Sequence, residues 1–287
     1  MFLLLLLLAF VLPPPPLPPK NKLDHTPYVK GVLVNQLGNQ MFQVAAVLSH
    51  AWDNGAVPIF PELVNDTKEH WWKFSTNYRY VFWRLNTQAP RRKIAFRHKY
   101  EGLPYQEIPF EPDMEVSGYF QSEKFFAHHK DEILKLFQPH EILLNYIEKH
   151  FPWLEKENTV SVHLRFYTPS DGLHLLPNLP ATWYEKAMLS FPDDHLFVVF
   201  SNNIPRAKQT LAHIPRRMVF MEGQPHFIDL FAMSMCKHNI IANSSFSWWG
   251  AYMNQNPSKI VIGPKRWFTK QSGLDSSDIL PSDWIVQ

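Results

Sequence analysis

The feature that most constrains this chain is the alternation that begins near Asn158. Apolar runs at Val160 to Leu164, Leu196 to Ser201, Met218 to Met221, Asn239 to Ala242 and Ile260 to Ile262 read as strands. Helical spacing recurs between them, at Trp183 to Ser190, Pro205 to Ala212, Phe227 to Cys236 and Ser247 to Met253. Strands that alternate with helices pair in parallel, because each helix carries the chain back across the sheet. A parallel sheet with helices on both faces follows, and ligands are expected outside the carboxyl ends of its strands. The chain's 287 residues suffice for two ordinary domains or one large α/β domain, and a 45% hydrophobic content supplies the core.

The first half opens in the same way. Val29 to Val34 is strand-like, Leu37-Gly38-Asn39-Gln40 reads as a turn, and Met41, Val44, Ala45 and Leu48 recur at helical spacing before a strand at Ala56 to Phe60. Residues 61–115 are aromatic and basic without a clear period, and Lys130 to Phe151 is helical with a break near Pro139. Ahead of these, Phe2 to Leu12 is an unbroken apolar run, shorter than the ~20 residues that span a bilayer and similar to a signal peptide or truncated signal-anchor. Pro13 to Pro19 holds six prolines in seven residues, a polyproline II stalk. The expected organisation is a hydrophobic segment over residues 1–12, a stalk over 13–27, an N-terminal domain over 28–155 and a C-terminal domain over 156–287. Membrane association through the N-terminal segment is expected, at the Golgi in a eukaryotic cell, or at the inner membrane or in the cytoplasm of a bacterium.

A net charge of +2 is too small to imply nucleic acid as a partner. One local run is stronger: Arg79, Arg84, Arg91, Arg92, Lys93, Arg97 and Lys99 follow one another with no intervening acidic residue. Its ordinary reading is a solvated surface, and its alternatives are an acidic membrane or an anionic ligand. The single cysteine, Cys236, excludes an intramolecular disulfide. The 14 histidines show no H-E-x-x-H spacing. His128 and His129 are adjacent, and a helix would point the two rings in different directions, so no structural metal is expected. Asn65-Asp66-Thr67 fits the N-glycosylation pattern.

Three stretches carry candidate chemistry. In Asn239 to Gly250 an apolar strand runs into Asn243-Ser244-Ser245, with a helix starting near Ser247. Serines at a helix start cap free N–H groups, and the same N–H groups with the helix dipole suit a phosphate. His163-Leu164-Arg165 closes the first strand of the second half, where alternation puts His163 and Arg165 on one side. A guanidinium there forks onto diphosphate oxygens, while His163 accepts a proton or orients the arginine. In Gly38-Asn39-Gln40 the glycine lets backbone approach a ligand, and Asn39 offers donor and acceptor to sugar hydroxyls. Taken singly, the first and third stretches read better as an ordinary capped helix and a plain turn, and an H-x-R triplet says little.

Together the stretches resemble the α-1,2-fucosyltransferases of glycosyltransferase family 11. That family is marked by G-x-G-N-Q-M-F-Q near its start, and Gly38-Asn39-Gln40-Met41-Phe42-Gln43 matches its later part, with Asn35-Gln36 where a glycine is common. Asp229 to Asn254 resembles the family's D-L-x-x-M-S-x-C-x-H-x-I-I-A-N-S-x-F-S-W-W-G-A-x-L-N run, and Lys259 to Phe268 resembles its closing strand and loop. The resemblance implies a GT-B fold, two Rossmann-like domains of parallel sheet facing a cleft. It also implies inverting transfer of L-fucose from GDP-β-L-fucose to the 2-hydroxyl of a terminal galactose on a glycan, with no metal and no other cofactor. Carried over residue by residue, Arg165 grips the diphosphate with His163 beside it. Asn243, Ser244, Ser245 and Ser247 line the nucleotide or phosphate region, and Asp229 sits near the nucleotide. Gly38, Asn39 and Gln40 face the fucose or the acceptor.

The departures define an alternative. The family's H-x-R-R-G-D-Y stands here as His163-Leu164-Arg165-Phe166-Tyr167, so the second arginine is Phe166 and the Gly-Asp step is gone. The usual S-D-D after the next strand is Ser201-Asn202-Asn203. A relative impaired in catalysis, binding a GDP-sugar or glycan without transfer, is the second reading.

Overall fold

The computed structural model describes residues 25–64, 74–89, 92–100, 104–170 and 172–287. The apolar leader, most of the proline-rich stalk, Arg91 and the sequon at Asn65 lie outside the described residues. Among the described residues no helix is long and apolar enough to cross a membrane. The chain divides into two compact units; Glu141–Ser276 and Leu280–Gln287 belong to one, and the other takes the chain up to His140 together with Ser277–Ile279. The C-terminal unit thus begins at Glu141, where the sequence places the division between residues 155 and 156.

In the N-terminal unit, strands β1 (Tyr28–Gly31), β2 (Val57–Ile59), β3 (Phe96–Lys99) and β4 (Met114–Ser117) pair in parallel in the order β2-β1-β4-β3. Helix α1 (Leu37–Asp53) crosses between β1 and β2 and is buried over most of its length, as its Ala-, Val- and Leu-rich sequence requires. The expected turn at Gly38-Asn39-Gln40 is the first turn of this helix instead. The amides of Asn39 and Gln40 bond the carbonyl of Gln36, at 3.0 and 3.1 Å, and start the helical ladder. Gly-Asn is a local turn signal, but a helix buried on all sides overrides so weak a preference. Helix α2 (Lys130–Phe137) ends at the break expected near Pro139.

The basic run is engaged within this unit. Arg92 pairs with Asp113 at 2.7 Å, Arg97 with Glu115 at 3.0 Å, and Arg84 donates to the carbonyl of Gln138 at 2.5 Å while lying over the Trp83 ring. These cations answer local carboxylates and carbonyls, in keeping with the surface reading rather than with a polyanion site.

The C-terminal unit has six strands, β5 (Thr159–Leu164), β6 (Leu196–Ser201), β7 (Arg217–Phe220), β8 (His238–Ile240), β9 (Val261–Gly263) and β10 (Ile285–Val286). All pair in parallel in the order β10-β9-β8-β5-β6-β7. Every residue of β5 is buried, the mark of a central strand covered on both faces. Helices α3 (Glu141–His150), α4 (Ala181–Leu189), α5 (Ile204–Leu211), α6 (His226–Met235) and α7 (Ser245–Tyr252) flank the sheet. Right-handed crossovers put α4 and α5 on one face and α6 and α7 on the other. From β5 successive strands are added towards one edge and from β8 towards the other, so this is the Rossmann strand order with its switch point at those two strands. The aromatics here are chiefly core: Trp248 and Trp249 are fully buried, and Trp248 stacks on Tyr252 with ring centroids 4.5 Å apart. Gly250 is where α6 and α7 touch, since a Cβ there would stand 2.8 Å from the Cβ of Met233.

Candidate functional site

At a switch point the loops leaving two adjacent strands run apart and open a crevice. Here His163 lies at the end of β5, the loop after that strand carries Arg165 and Tyr167, and the loop after β8 carries Asn243 and Ser244. Tyr167 joins them: its hydroxyl donates to the Asn243 carbonyl at 2.8 Å, and its ring lies 5.1 Å from the Arg165 guanidinium carbon. The Asn243 amide nitrogen donates to the carbonyls of Pro177 at 2.9 Å and Trp267 at 3.0 Å, which ties in the loop after β9. Its Oδ1 is buried with no hydrogen-bond partner. These bonds fix the side chain's orientation, because only the NH2 end suits two carbonyls.

Ser244 occupies the N-cap of α7 in an extended conformation, yet its side chain makes no capping hydrogen bond. The expectation that serines cap this helix fails for it. Ser247 is buried and donates back to the Ser244 carbonyl at 3.3 Å, so neither hydroxyl satisfies the first-turn N–H groups. Ser245 is half-buried in that first turn. An eight-residue helix that starts at the carboxyl edge in this way offers its dipole and amides to an anion.

His163 is 5% exposed and its Nδ1 has no partner. Burial, with the Arg165 charge beside it, pushes the imidazole down to about 3. A group so weakly basic stays neutral at ordinary pH and is poorly matched to take a proton there. Of the two roles read from the sequence, orienting its neighbours fits better, and the Phe246 ring 5.9 Å away helps to hold it. Asp229 lies in the first turn of α6, at the same sheet edge. It keeps some exposed surface, but its Oδ1 is buried without a partner, and burial raises its carboxyl well above the usual range.

The departures from the family motif have structural explanations. Phe166 is 6% exposed and belongs to the cluster of Val162, Leu164 and Tyr184, so its side chain packs into the core. The guanidinium of Arg206, from the first turn of α5, stands 4.4 Å from the Phe166 ring. Asn202 clasps the Phe166 backbone from both ends, its Oδ1 accepting from the N–H and its Nδ2 donating to the carbonyl, each at 2.9 Å. An aspartate has no donor for the second bond. Asn203 caps α5 by accepting from Arg206 N at 3.0 Å.

The N-terminal unit has its own switch point, between β1 and β4. Asn39 Oδ1 accepts from Gln121 at 2.7 Å there, and Asn35, at a positive φ of 65°, donates to the exposed Tyr119 hydroxyl at 2.8 Å. Gln40 is fully buried: it donates to the Asn35 carbonyl and accepts from Asn77, both at 2.7 Å. Its amide braces the loop from inside and does not face a sugar, and Gly38 is buried beside it. Of the three residues read as ligand-facing, Asn39 remains. Tyr119 and Gln121 escape a sequence reading, because nothing but the end of a short strand marks them. The histidine pair also departs from expectation: both rings meet the carboxylate of Asp53.

The model of the family described as "Glycosyl transferase family 11" matches residues 19–286. The chain belongs to that family. Among curated proteins it is 36% identical over 180 residues to the O-antigen biosynthesis glycosyltransferase WbnK of Escherichia coli, covering 58% of this chain and 59% of that one. It is 32% identical over 181 residues to an Escherichia coli alpha-1,2-colitosyltransferase, covering 60% and 62%. With mouse galactoside alpha-(1,2)-fucosyltransferase 2 it shares 25% identity over 240 residues, covering 77% of this chain and 66% of that one. The matched regions therefore span just under two thirds of these relatives. Among solved structures, NodZ alpha-1,6-fucosyltransferase aligns with a TM-score of 0.52 at 11% identity, covering 79% of this chain and 92% of that one. Arabidopsis thaliana FUT1 aligns at 0.51 and 12% identity, covering 90% and 76%. Both likenesses concern the fold, and they agree with its assignment to the GT-B class.

Proposed function

We propose that this family 11 chain transfers L-fucose from GDP-β-L-fucose to the 2-hydroxyl of a terminal galactose on a glycan, with inversion at the anomeric carbon. The observation that carries the reading is the switch point between β5 and β8, where Tyr167 links Arg165 to Asn243, just ahead of a helix whose N-cap side chain makes no capping bond. In the reaction a base takes the acceptor hydroxyl's proton, the oxygen bonds to the fucose anomeric carbon, and the bond from that carbon to the diphosphate breaks. GDP leaves with the negative charge, which Arg165 and the start of α7 neutralise. That is the work a metal ion would otherwise do, so transfer proceeds without one. Asp229, Asn243, Ser244, Ser245 and Ser247 line the nucleotide side, His163 positions Arg165, and Asn39 with its Gln121 partner serves the acceptor side. The names of the two Escherichia coli relatives and of the mouse enzyme support glycosyl transfer, and two of them name the 1,2 linkage.

Loss of the family's second arginine favours a second reading, a protein that binds the donor without transfer. Against it, Arg206 brings a cation next to Phe166. Assaying GDP-fucose and GDP-colitose against a panel of galactosides, with linkage analysis of the product, separates the readings. Acceptor-dependent GDP release with a 1,2-linked product supports the first. GDP binding without acceptor-dependent release establishes the second, and a product from GDP-colitose alone reassigns the donor.

A further inference from the structure

One cluster in the N-terminal unit takes no part in donor binding. Asp53 ends α1, and His128 and His129 lie in the 3-10 turn Ala127–His129. Nε2 of His128 is 3.0 Å from Oδ2 of Asp53 and 3.1 Å from Oδ1, and Nε2 of His129 is 2.8 Å from Oδ1. Ser49, one helical turn before Asp53 on the same face, places its Oγ 3.1 Å from His128 Nε2. The Trp52 ring meets His129 edge-on at 5.3 Å and restricts its rotation. One ligand atom from each of Asp53, His128 and His129 falls within a 4.8 Å group, open to solvent.

We propose that Asp53, His128 and His129 form a binding site for a divalent first-row transition metal ion, of which Zn2+ is the probe. Two imidazole nitrogens and one carboxylate oxygen suit Zn2+, Ni2+ or Cu2+; Mg2+ and Ca2+ seek oxygen ligands. In a tetrahedral site with bonds of about 2.0–2.1 Å, neighbouring ligand atoms stand about 3.4 Å apart. The nitrogen-to-oxygen distances of 2.8–3.1 Å need only open by a few tenths of an ångström, which side-chain rotation supplies. With Nε2 on the metal, the proton of each bound ring is on Nδ1. Adjacency does not set the rings apart here, because they sit in a turn and not in the middle of an α-helix.

The site is remote from the carboxyl edge of its own sheet. Helix α1 starts at the carboxyl edge of the sheet and Asp53 is its last residue, about 24 Å along the axis at 1.5 Å per residue. Bound metal therefore clamps the end of α1 to the turn at 127–129, and acts on stability and not on the reaction.

The test is calorimetric titration of the full chain, purified without a polyhistidine tag, with Zn2+ alone, alongside Co2+ absorption spectra. The expected result is one saturable site per chain, visible Co2+ ligand-field bands and a raised melting temperature. The Asp53→Asn/His128→Ala double variant and the His129→Gln variant should each bind at least about 100-fold more weakly. GDP affinity, and transfer measured in EDTA, should match the parent in both. Absence of saturable binding, or variants that bind as tightly as the parent, overturns the proposal. Transfer that fails on chelation and returns with Zn2+ overturns the structural assignment of the ion.

Discussion

Replacing Arg165 by alanine separates the proposed chemistry from the architecture around it. Removing one preorganised donor from developing anionic charge costs about 10²–10³-fold in rate, or about 2.7–4.1 kcal/mol of transition-state stabilisation. The structural cost is smaller. Arg165 is half-buried and its guanidinium carbon lies 5.1 Å from the Tyr167 ring, a contact worth about 0.5–1 kcal/mol at a site of this exposure. At about 2–4 °C per kcal/mol, its loss lowers the melting temperature by about 1–4 °C. The assay pairs initial rates of acceptor-dependent GDP release with a thermal melt followed by circular dichroism. Arg165→Lys should fall between parent and alanine variant, because an ammonium keeps the charge but not the planar fork. An alanine variant that melts as predicted yet turns over within about fivefold of the parent would refute the diphosphate assignment.

Three further outcomes follow from the C-terminal unit. Gly250→Ala gains about 1 kcal/mol of helix propensity but drives a methyl to 2.8 Å from the Cβ of Met233, so chemical denaturation should show a net loss of about 1–2 kcal/mol; a variant as stable as the parent refutes the close contact. His163 is held down to about 3 by burial and by Arg165, so its contribution is intact above the unfolded value near 6.5 and is lost as pH falls from there towards 3. The stability difference between parent and His163→Gln should therefore shift against the parent by about 1.4 kcal/mol per pH unit below 6.5, and a pH-independent difference refutes the buried neutral imidazole. Asn202→Asp keeps an acceptor for the Phe166 N–H but loses the donor to its carbonyl, and should cost about 1 kcal/mol in thermal melts; an unchanged melt refutes the two-ended clasp.

The long family-like run from Asp229 to Asn254 shows how function and packing share one stretch of sequence. Asn239 donates to Ser161 Oγ at 2.7 Å and accepts from Asn254 at 2.8 Å, and Asn254 donates to the Cys236 carbonyl at 2.8 Å. Gly250 and Met233 set how closely the two helices approach. Most of this run therefore builds the α6-β8-α7 unit, and only Asp229 and residues 243–247 lie at the edge where a donor would bind.

By itself the sequence determined the alternation of strands and helices, the two α/β halves, and the assignment of Arg165 and Asn243 to the ends of strands. Each of these rests on local periodicity, which a single chain displays directly. Only the tertiary structure decided strand order, because pairing joins residues far apart in sequence, and the switch point between β5 and β8 exists only once that order is set. It decided that Gln40 points inward and that Phe166 belongs to the core, since burial depends on what packs above a residue. It likewise brought Asp53 to His128 and His129 across some seventy-five positions, a meeting that no local pattern encodes because loop closure and helix packing produce it.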